Sequence, residues 1–302
     1  MNLSRDPQWL FLLCASSVIV AVALIFGFIL VTAVPAIQMS GLNLILGSVW
    51  DYNTHQYGML ILITGTLFLT VLTLAISAPV GILTAIYLSE YAQPAVEKTL
   101  RPLIELLVGI PSVVYGIFGF FLLEPVFRTV INPDIGSLLG FIPLFQNVSP
   151  ITGEGYLLAA TVLSIMILPT VIALSHESLR AVPAEYREGS FALGATRWET
   201  IKNVVIPAGA SGIITSIVLG AMRAMGETMA VVMLIGGVMH VPTSILDQGY
   251  TITSKILSDS SYYLMFPGTR SAIFAMAIVL FAMEIGFVAL IRLVSKRISG
   301  QQ

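Results

Sequence analysis

Charge is the scarcest resource in this 302-residue chain: Asp, Glu, Lys and Arg together make up 10% of it, where a soluble protein carries about 25%. Water-soluble enzymes and disordered chains are excluded by that shortage. There is no excess of either sign, the net charge being −2, so no basic field exists to hold nucleic acid. Cysteine occurs once, at Cys14, which rules out an internal disulfide framework and a thiolate zinc site. The three histidines, His55, His176 and His240, fall on both sides of the membrane in the topology read below and cannot form one metal site. A phosphate-binding G-x-x-x-x-G-K-[ST] loop, an H-E-x-x-H pair and a G-x-S-x-G elbow are all missing, so neither nucleotide binding by a P-loop nor metalloprotease or serine-hydrolase chemistry is expected of this chain.

Apolar residues are abundant instead, 57% of the chain with 25 glycines besides and a mean hydropathy of +0.94. A spanning helix needs about 20 mostly apolar residues. Six stretches qualify: 9–34, 58–89, 103–123, 156–176, 208–236 and 271–291. The fold class expected is therefore an all-α integral membrane protein with six transmembrane helices. The first stretch is longer than the apolar core of a signal peptide and reads as an uncleaved anchor. The second contains Pro79 and is expected to break there and continue as a short surface helix. With the N-terminus inside, ten of the fourteen Lys and Arg residues fall on the inner side, three on the outer side, and Arg223 within a span. That bias places both termini in the cytoplasm. Two sizeable outer loops, 124–155 and 237–270, follow from the same topology.

The inner segment 177–207 holds eight charged residues and the apolar residues Tyr186, Phe191, Trp198 and Ile201 at helical spacing, bracketed by Pro183 and Pro207. Gly194 sits where a turn between two short helices would need it. Thr196 followed by Glu199 is a capping box opening the second helix. Glu188, Gly189, Ser190, Gly194 and the closing Val204-Val205-Ile206-Pro207 resemble the EAA loop of type I ABC-importer permeases, E-A-A-x3-G-x9-I-x-L-P, with Gly-Ser in place of Ala-Ala and Val and Ile in place of the Ile and Leu. In that family the loop is the coupling helix that docks on a cytoplasmic ATPase. The resemblance therefore implies a coupling role for Glu188, Gly189, Ser190, Gly194 and Pro207.

Arg223 and Glu227 lie near the middle of the fifth stretch. A charge at the bilayer centre costs about 2.5–3.5 kcal/mol on insertion scales, so both are expected to face protein or a water-filled path. As i and i+4 on one helix they could form a buried ion pair, although Arg before Glu is the weaker order. The alternative is an arginine that meets an anion and is held by a carboxylate, the guanidinium fork matching tetrahedral oxyanions. A stripe of small residues, Ala208, Gly212, Ser216, Gly220 and Ala224, marks the helix-packing face beside them. Ser112 after Pro111 could line a path or belong to a packed kink. Glu105 pairs with Arg101 at i,i+4, and Glu284 either pairs with Arg223 or bonds within the bundle.

The run Arg223-Ala224-Met225-Gly226-Glu227-Thr228-Met229-Ala230-Val231, with Tyr57-Gly58, Gly65-Thr66, Tyr87-Leu88-Ser89-Glu90 and the stretch Glu105 through Gly116, resembles the PstC type of phosphate ABC transporter permease in order over residues 57–290. What the resemblance implies is a MetI-like permease core over 57–302, preceded by a tip, first helix and outer loop at 1–56. It implies a phosphate path involving Arg223 and Glu227, to which Thr228, Ser112 and Glu284 are added as candidates. It also implies no cofactor in this chain, ATP and Mg being bound by partner subunits. The partners implied are a PstA-like second permease, an ABC ATPase dimer at the inner loop and an extracytoplasmic phosphate-binding protein, in a prokaryotic cytoplasmic (inner) membrane. Rival readings are a permease for sulfate or molybdate, a sensor of phosphate supply, and an intramembrane enzyme using Glu227 or Glu284.

Overall fold

The computed structural model describes residues 8–146 and 152–299, and side chains within 9–146 and 152–293. Arg5 and the side chains of Lys296 and Arg297, three of the inner cations in the topology above, lie outside the described residues. Among the described residues six helices are long and apolar enough to cross a bilayer. In chain order the helices are α1 (Gln8–Ser40), a single turn α2 (Asn43–Leu46), α3 (Leu60–Tyr91), α4 (Pro94–Val108), α5 (Ser112–Leu139), α6 (Tyr156–Arg180), α7 (Ala184–Ala192), α8 (Arg197–Gly226), α9 (Met229–Leu234), α10 (Ile252–Tyr263) and α11 (Pro267–Ser299). A two-residue hairpin, β1 (Trp50–Asp51) with β2 (Gln56–Tyr57), closes the turn before α3.

Small side chains decide how the centre packs. Helices α6 and α8 run antiparallel with Ser178 Oγ donating to the Gly209 carbonyl at 2.8 Å and the Ser175 and Ser216 hydroxyls 2.8 Å apart. A Cβ on Gly212 would stand 2.1 Å from Ser178 Oγ, and one on Gly220 would stand 3.0 Å from Ile167. From Gly212 to Ala224 the expected stripe is therefore the contact face, while Ala208 is exposed and Gly209 meets α6 in its place: absent side chains let the backbones approach, which is how helices associate in lipid without a hydrophobic drive. Around this seam Leu69, Leu163, Met166, Ile167, Val171, Val231 and Leu234 form a buried core. α1 leans mainly on α11, with Phe26 against Phe281 at 5.1 Å and Phe28 against Phe274 at 5.6 Å.

Several expectations are corrected. Helix α3 does not break at Pro79 but runs through it, unbroken over 32 residues. Proline already has a helical φ, and Gly81, two residues on, lets Val171 of α6 seat against the helix, so packing keeps the helix continuous. The amphipathic helix is α4 instead, and the third span, expected at 103–123, is α5: α4 ends at Val108 and α5 runs from Ser112 to Leu139. Pro111, for which a path lining and a packed kink were both open, is the residue that opens α5. The fifth helix ends at Gly226 rather than near 236, and the first outer loop stays helical to Leu139.

Helix α4 is turned inside out for a surface helix. Its polar row faces α6, with Glu97 Oε1 2.5 Å from Arg180 Nη1 and 3.4 Å from His176 Nε2, and Arg101 Nη2 3.6 Å from Glu177. Leu100, Leu103, Leu106 and Leu107 point outward. The expected Arg101–Glu105 pair is present at 2.8 Å.

Candidate functional site

The midpoint of α6 (Tyr156–Arg180) is residue 168, and Gly220 of α8 lies against Ile167. Arg223, less than one turn further, therefore sits close to the middle of the spans. It is half-buried, and the Tyr115 phenol lies within reach of its charge.

The backbone around this arginine is interrupted twice. At the end of α8 the chain leaves the helix at Glu227 (φ −68°, ψ 129°) and re-enters one at Met229. The exposed groups find local partners: Thr253 Oγ1 donates to the Glu227 carbonyl at 2.8 Å, the Ala230 amide donates to Glu227 Oε1 at 3.2 Å, and Thr228 Oγ1 donates to the Gly226 carbonyl at 3.2 Å. The second interruption separates α4 from α5, where the Tyr115 hydroxyl donates to the Leu107 carbonyl at 3.0 Å. Non-helical backbone at membrane depth is tolerated where it is buried in protein or lines a polar cavity.

These facts revise the expected geometry of the charges. Arg223 and Glu227 are not i,i+4 neighbours on one helix, because the helix has ended between them. Glu227 caps α9 rather than holding Arg223, and among the described residues neither Glu227 nor Glu284 forms an ion pair with Arg223. Glu284 on α11 faces Gly226, its Oε1 3.8 Å from where a Cβ of that glycine would be. Neither pairing foreseen for it occurs. Ser112 opens α5, half-buried. Arg223, Gly226–Thr228 and Glu284 thus share one neighbourhood, and Tyr115 links it to the α4–α5 break. An intramembrane enzyme built on Glu227 finds that carboxylate engaged as a helix cap.

A segment from the far end closes over this neighbourhood. The Ile252 amide donates to Thr66 Oγ1 at 3.0 Å, and a Cβ on Gly65 would stand 2.2 Å from the Tyr250 carbonyl. The resemblance had singled out Gly65-Thr66. Its physical content is a close backbone approach at the glycine and a buried acceptor at the threonine.

The loop region forms as its sequence foretold. Pro183 opens α7, Gly194 turns the chain at φ +86°, and the Thr196–Glu199 capping box starts α8. Pro207 does not end the segment, since Ile201–Val205 widen into a π-type turn that leaves its missing N–H unneeded. Glu188, Gly189 and Gly194 are exposed, while the Ser190 hydroxyl lies 2.9 Å from that of Thr200. Nothing lies within 4 Å of a Cβ placed on Gly189, so nothing within this chain requires a small residue there. Tyr186, Phe191, Leu193 and Trp198 are exposed together.

Sequence reasoning missed Glu90, Tyr91, Arg187 and Arg197 as a unit. Arg187 reaches Glu90 Oε1 at 2.7 Å, and Arg197 lies over the Tyr91 ring at 4.7 Å. The run Tyr87 to Glu90 was visible as a motif, but no spacing rule joins it to residues about a hundred positions later. The histidines stand apart, and among the described residues no three His, Cys, Asp or Glu side chains gather as a metal site.

Residues 77–300 match the family described as binding-protein-dependent transport system inner membrane component. The chain is 40% identical over 242 residues to a probable ABC transporter permease protein, YqgH, of Bacillus subtilis, covering 80% of this chain and 73% of that one. It is 34% identical over 274 residues to the phosphate transport system permease protein PstC of Xylella fastidiosa, covering 88% and 82%. Among solved structures, a bacterial alginate ABC transporter in complex with its pentasaccharide-bound periplasmic protein aligns with a TM-score of 0.58 at 18% identity, over 99% of both chains. That last likeness concerns the fold.

Proposed function

The chain belongs to the binding-protein-dependent transport system inner membrane component family, and we propose that Arg223 is where its cargo, inorganic phosphate, passes the middle of the membrane. The protein is the multi-pass inner-membrane permease subunit of a phosphate ABC importer, as its likeness to PstC-type permeases supports. It is a transport subunit rather than an enzyme in its own right. The observation that carries the site is Arg223 itself: a half-buried guanidinium at mid-depth, joined to no carboxylate among the described residues, beside the helix break at Glu227 and the turn that leads into α5. A cation kept there without an internal counter-ion is matched to an anion that arrives and leaves. One arginine suits a passage site, because tight binding would retard release. Thr228, Ser112 and Glu284 border the same passage, the carboxylate of Glu284 repelling an anion away from α11. Glu227 shapes the passage through the break that its backbone makes.

In this reading the loop end, with both termini, faces the cytoplasm. Glu188, Gly189, Ser190 and Gly194 present α7 to an ATPase dimer that binds ATP and Mg, Pro207 setting the start of the following span. The open space around Gly189 supports close approach of that partner. A PstA-like second permease completes the passage, and a phosphate-binding protein delivers cargo at the far end.

The test is ATP-driven uptake of labelled phosphate into vesicles bearing the complete transporter, with sulfate and molybdate as competitors. Arg223→Gln is expected to lower uptake at least tenfold with assembly intact, and the competitors to leave native uptake unaffected. Normal uptake by the variant overturns the site. Native uptake suppressed by sulfate or molybdate moves the cargo to another oxyanion, and no native uptake moves the role to sensing.

A further inference from the structure

The last turn of α3 and the two loop helices are joined by a polar clamp. The Glu90 carboxylate, 9% exposed, accepts from Arg187 Nη2 at 2.7 Å and from Nε at 3.3 Å. The same guanidinium donates through Nη1 to the Val182 carbonyl at 2.7 Å and through Nη2 to the Leu179 carbonyl at 2.9 Å, groups left over where α6 ends. Arg197 donates to the Glu90 carbonyl and covers the Tyr91 ring. The planar fork makes four hydrogen bonds at once, one more than the three donors of a lysine ammonium allow. Beneath the clamp Ala85, Ile86, Leu179, Val182, Ile201 and Val205 form a buried apolar seat shared by the end of α3 and the loop.

At its other end the same helix holds the segment that closes over Arg223, through Thr66 to the Ile252 amide and through Gly65 to the Tyr250 backbone. The next residue of that segment, Thr253, donates to the Glu227 carbonyl at the helix break. The 32 residues of α3, at about 1.5 Å per residue, make an unbroken strut of about 48 Å.

We propose that Glu90 and Arg187 are positioning residues that fix the docking loop to α3, so that movement of the loop is delivered by α3 to the segment 250–253 and to the break at Glu227. The proposal rests on the permease reading above and adds a third helix, far from the loop in sequence, to the two that flank the loop directly. Coupling of this kind is established by perturbing one end and reading the other.

The experiment uses the complete transporter in vesicles, with Cys14→Ser as background and Val241→Cys, an exposed position in the loop leading to α10, as reporter. The rate of modification of the introduced thiol by an impermeant maleimide is read with and without ATP. A change of at least fivefold is expected in the background protein and less than twofold in Glu90→Gln. ATP hydrolysis in Glu90→Gln is expected to stay within twofold of the background while uptake falls at least tenfold, with Glu90→Asp intermediate. An unchanged ATP response of the reporter thiol in Glu90→Gln overturns the proposal. So does a parallel fall of hydrolysis and uptake, or failure of the variant to retain the ATPase, since the pair would then only build the docking surface. Because the maleimide reading does not depend on cargo, absence of native phosphate uptake strikes the functional reading alone.

Discussion

Replacing Thr66 by valine removes one hydroxyl and almost no volume. Thr66 is 1% exposed, and its Oγ1 accepts the Ile252 amide at 3.0 Å while donating to the Leu62 carbonyl at 2.7 Å. The Leu62 carbonyl keeps its helical partner in the variant, so the loss falls on the Ile252 amide. A buried donor stripped of its acceptor costs about 1–3 kcal/mol; at ~2 kcal/mol the population in which segment 250–253 has lifted off α3 rises about 30-fold, since ~1.4 kcal/mol is a factor of ten. Thr66→Ser keeps the hydroxyl and is expected to behave as native. The assay is amide hydrogen exchange at Ile252 in the solubilised protein, which reports such local opening. Exchange about 30-fold faster in Thr66→Val and unchanged in Thr66→Ser is expected. Equal exchange in native protein and Thr66→Val would refute the reasoning, because the segment would then be held by contacts other than this bond.

Gly212→Ala would bring a methyl to 2.1 Å from Ser178 Oγ, and the displaced serine would lose the Gly209 carbonyl; a destabilisation of about 1–3 kcal/mol is expected in thermal unfolding, partly restored by adding Ser178→Ala. Gly194→Ala meets no atom, but φ is +86°, so backbone strain alone is expected to cost about 1–2 kcal/mol, with Gly194→Asn milder on the same unfolding measurement. Gly189→Ala is expected to raise stability by up to ~1 kcal/mol, being in a helix interior, while weakening co-purification of the ATPase; undiminished co-purification would show that smallness at 189 does not serve docking. Burial, and then the neighbouring Glu124 charge, push the Glu154 carboxyl above its ordinary value of 4.5. Its ionised form is therefore penalised in the folded state, and the stability present at low pH is lost as pH rises through the raised value. Glu154→Gln is expected to unfold at a higher temperature than native protein at about pH 7 and at the same temperature near pH 4, with thermal scans across that range as the check.

The six crossings were legible because bilayer thickness imposes a length that composition alone displays, and the loop was legible because caps, prolines and a left-handed glycine act within a few residues. Helix ends inside the membrane were not. Residues 208–236 read as one span, since nothing in Gly226-Glu227-Thr228 marks a break more strongly than the surrounding apolar residues mark a helix. The break exists because Thr253, from another part of the chain, satisfies the carbonyl it exposes. Pro79 erred the other way, a local breaker overruled by packing against Val171. Arg223 was placed near mid-depth from sequence, and the register of α6 with α8 agrees. The ion pair considered with Glu227 failed with the helix that would have aligned it. Glu90 with Arg187 lay beyond any local pattern, its partners being 97 residues apart.

The reversed polarity of α4 sets an order on biogenesis. Glu97 and Arg101 have counter-charges on α6, at Arg180 and Glu177, and Arg180 is made 83 residues after Glu97. At roughly 5–20 residues per second the ribosome supplies that partner roughly 4–17 s later. Through that interval α4 cannot be released sideways into lipid with its charges bare. Its polar row is therefore neutralised only once α6 has been made, and the docking of α4 on α6 follows the synthesis of Arg180.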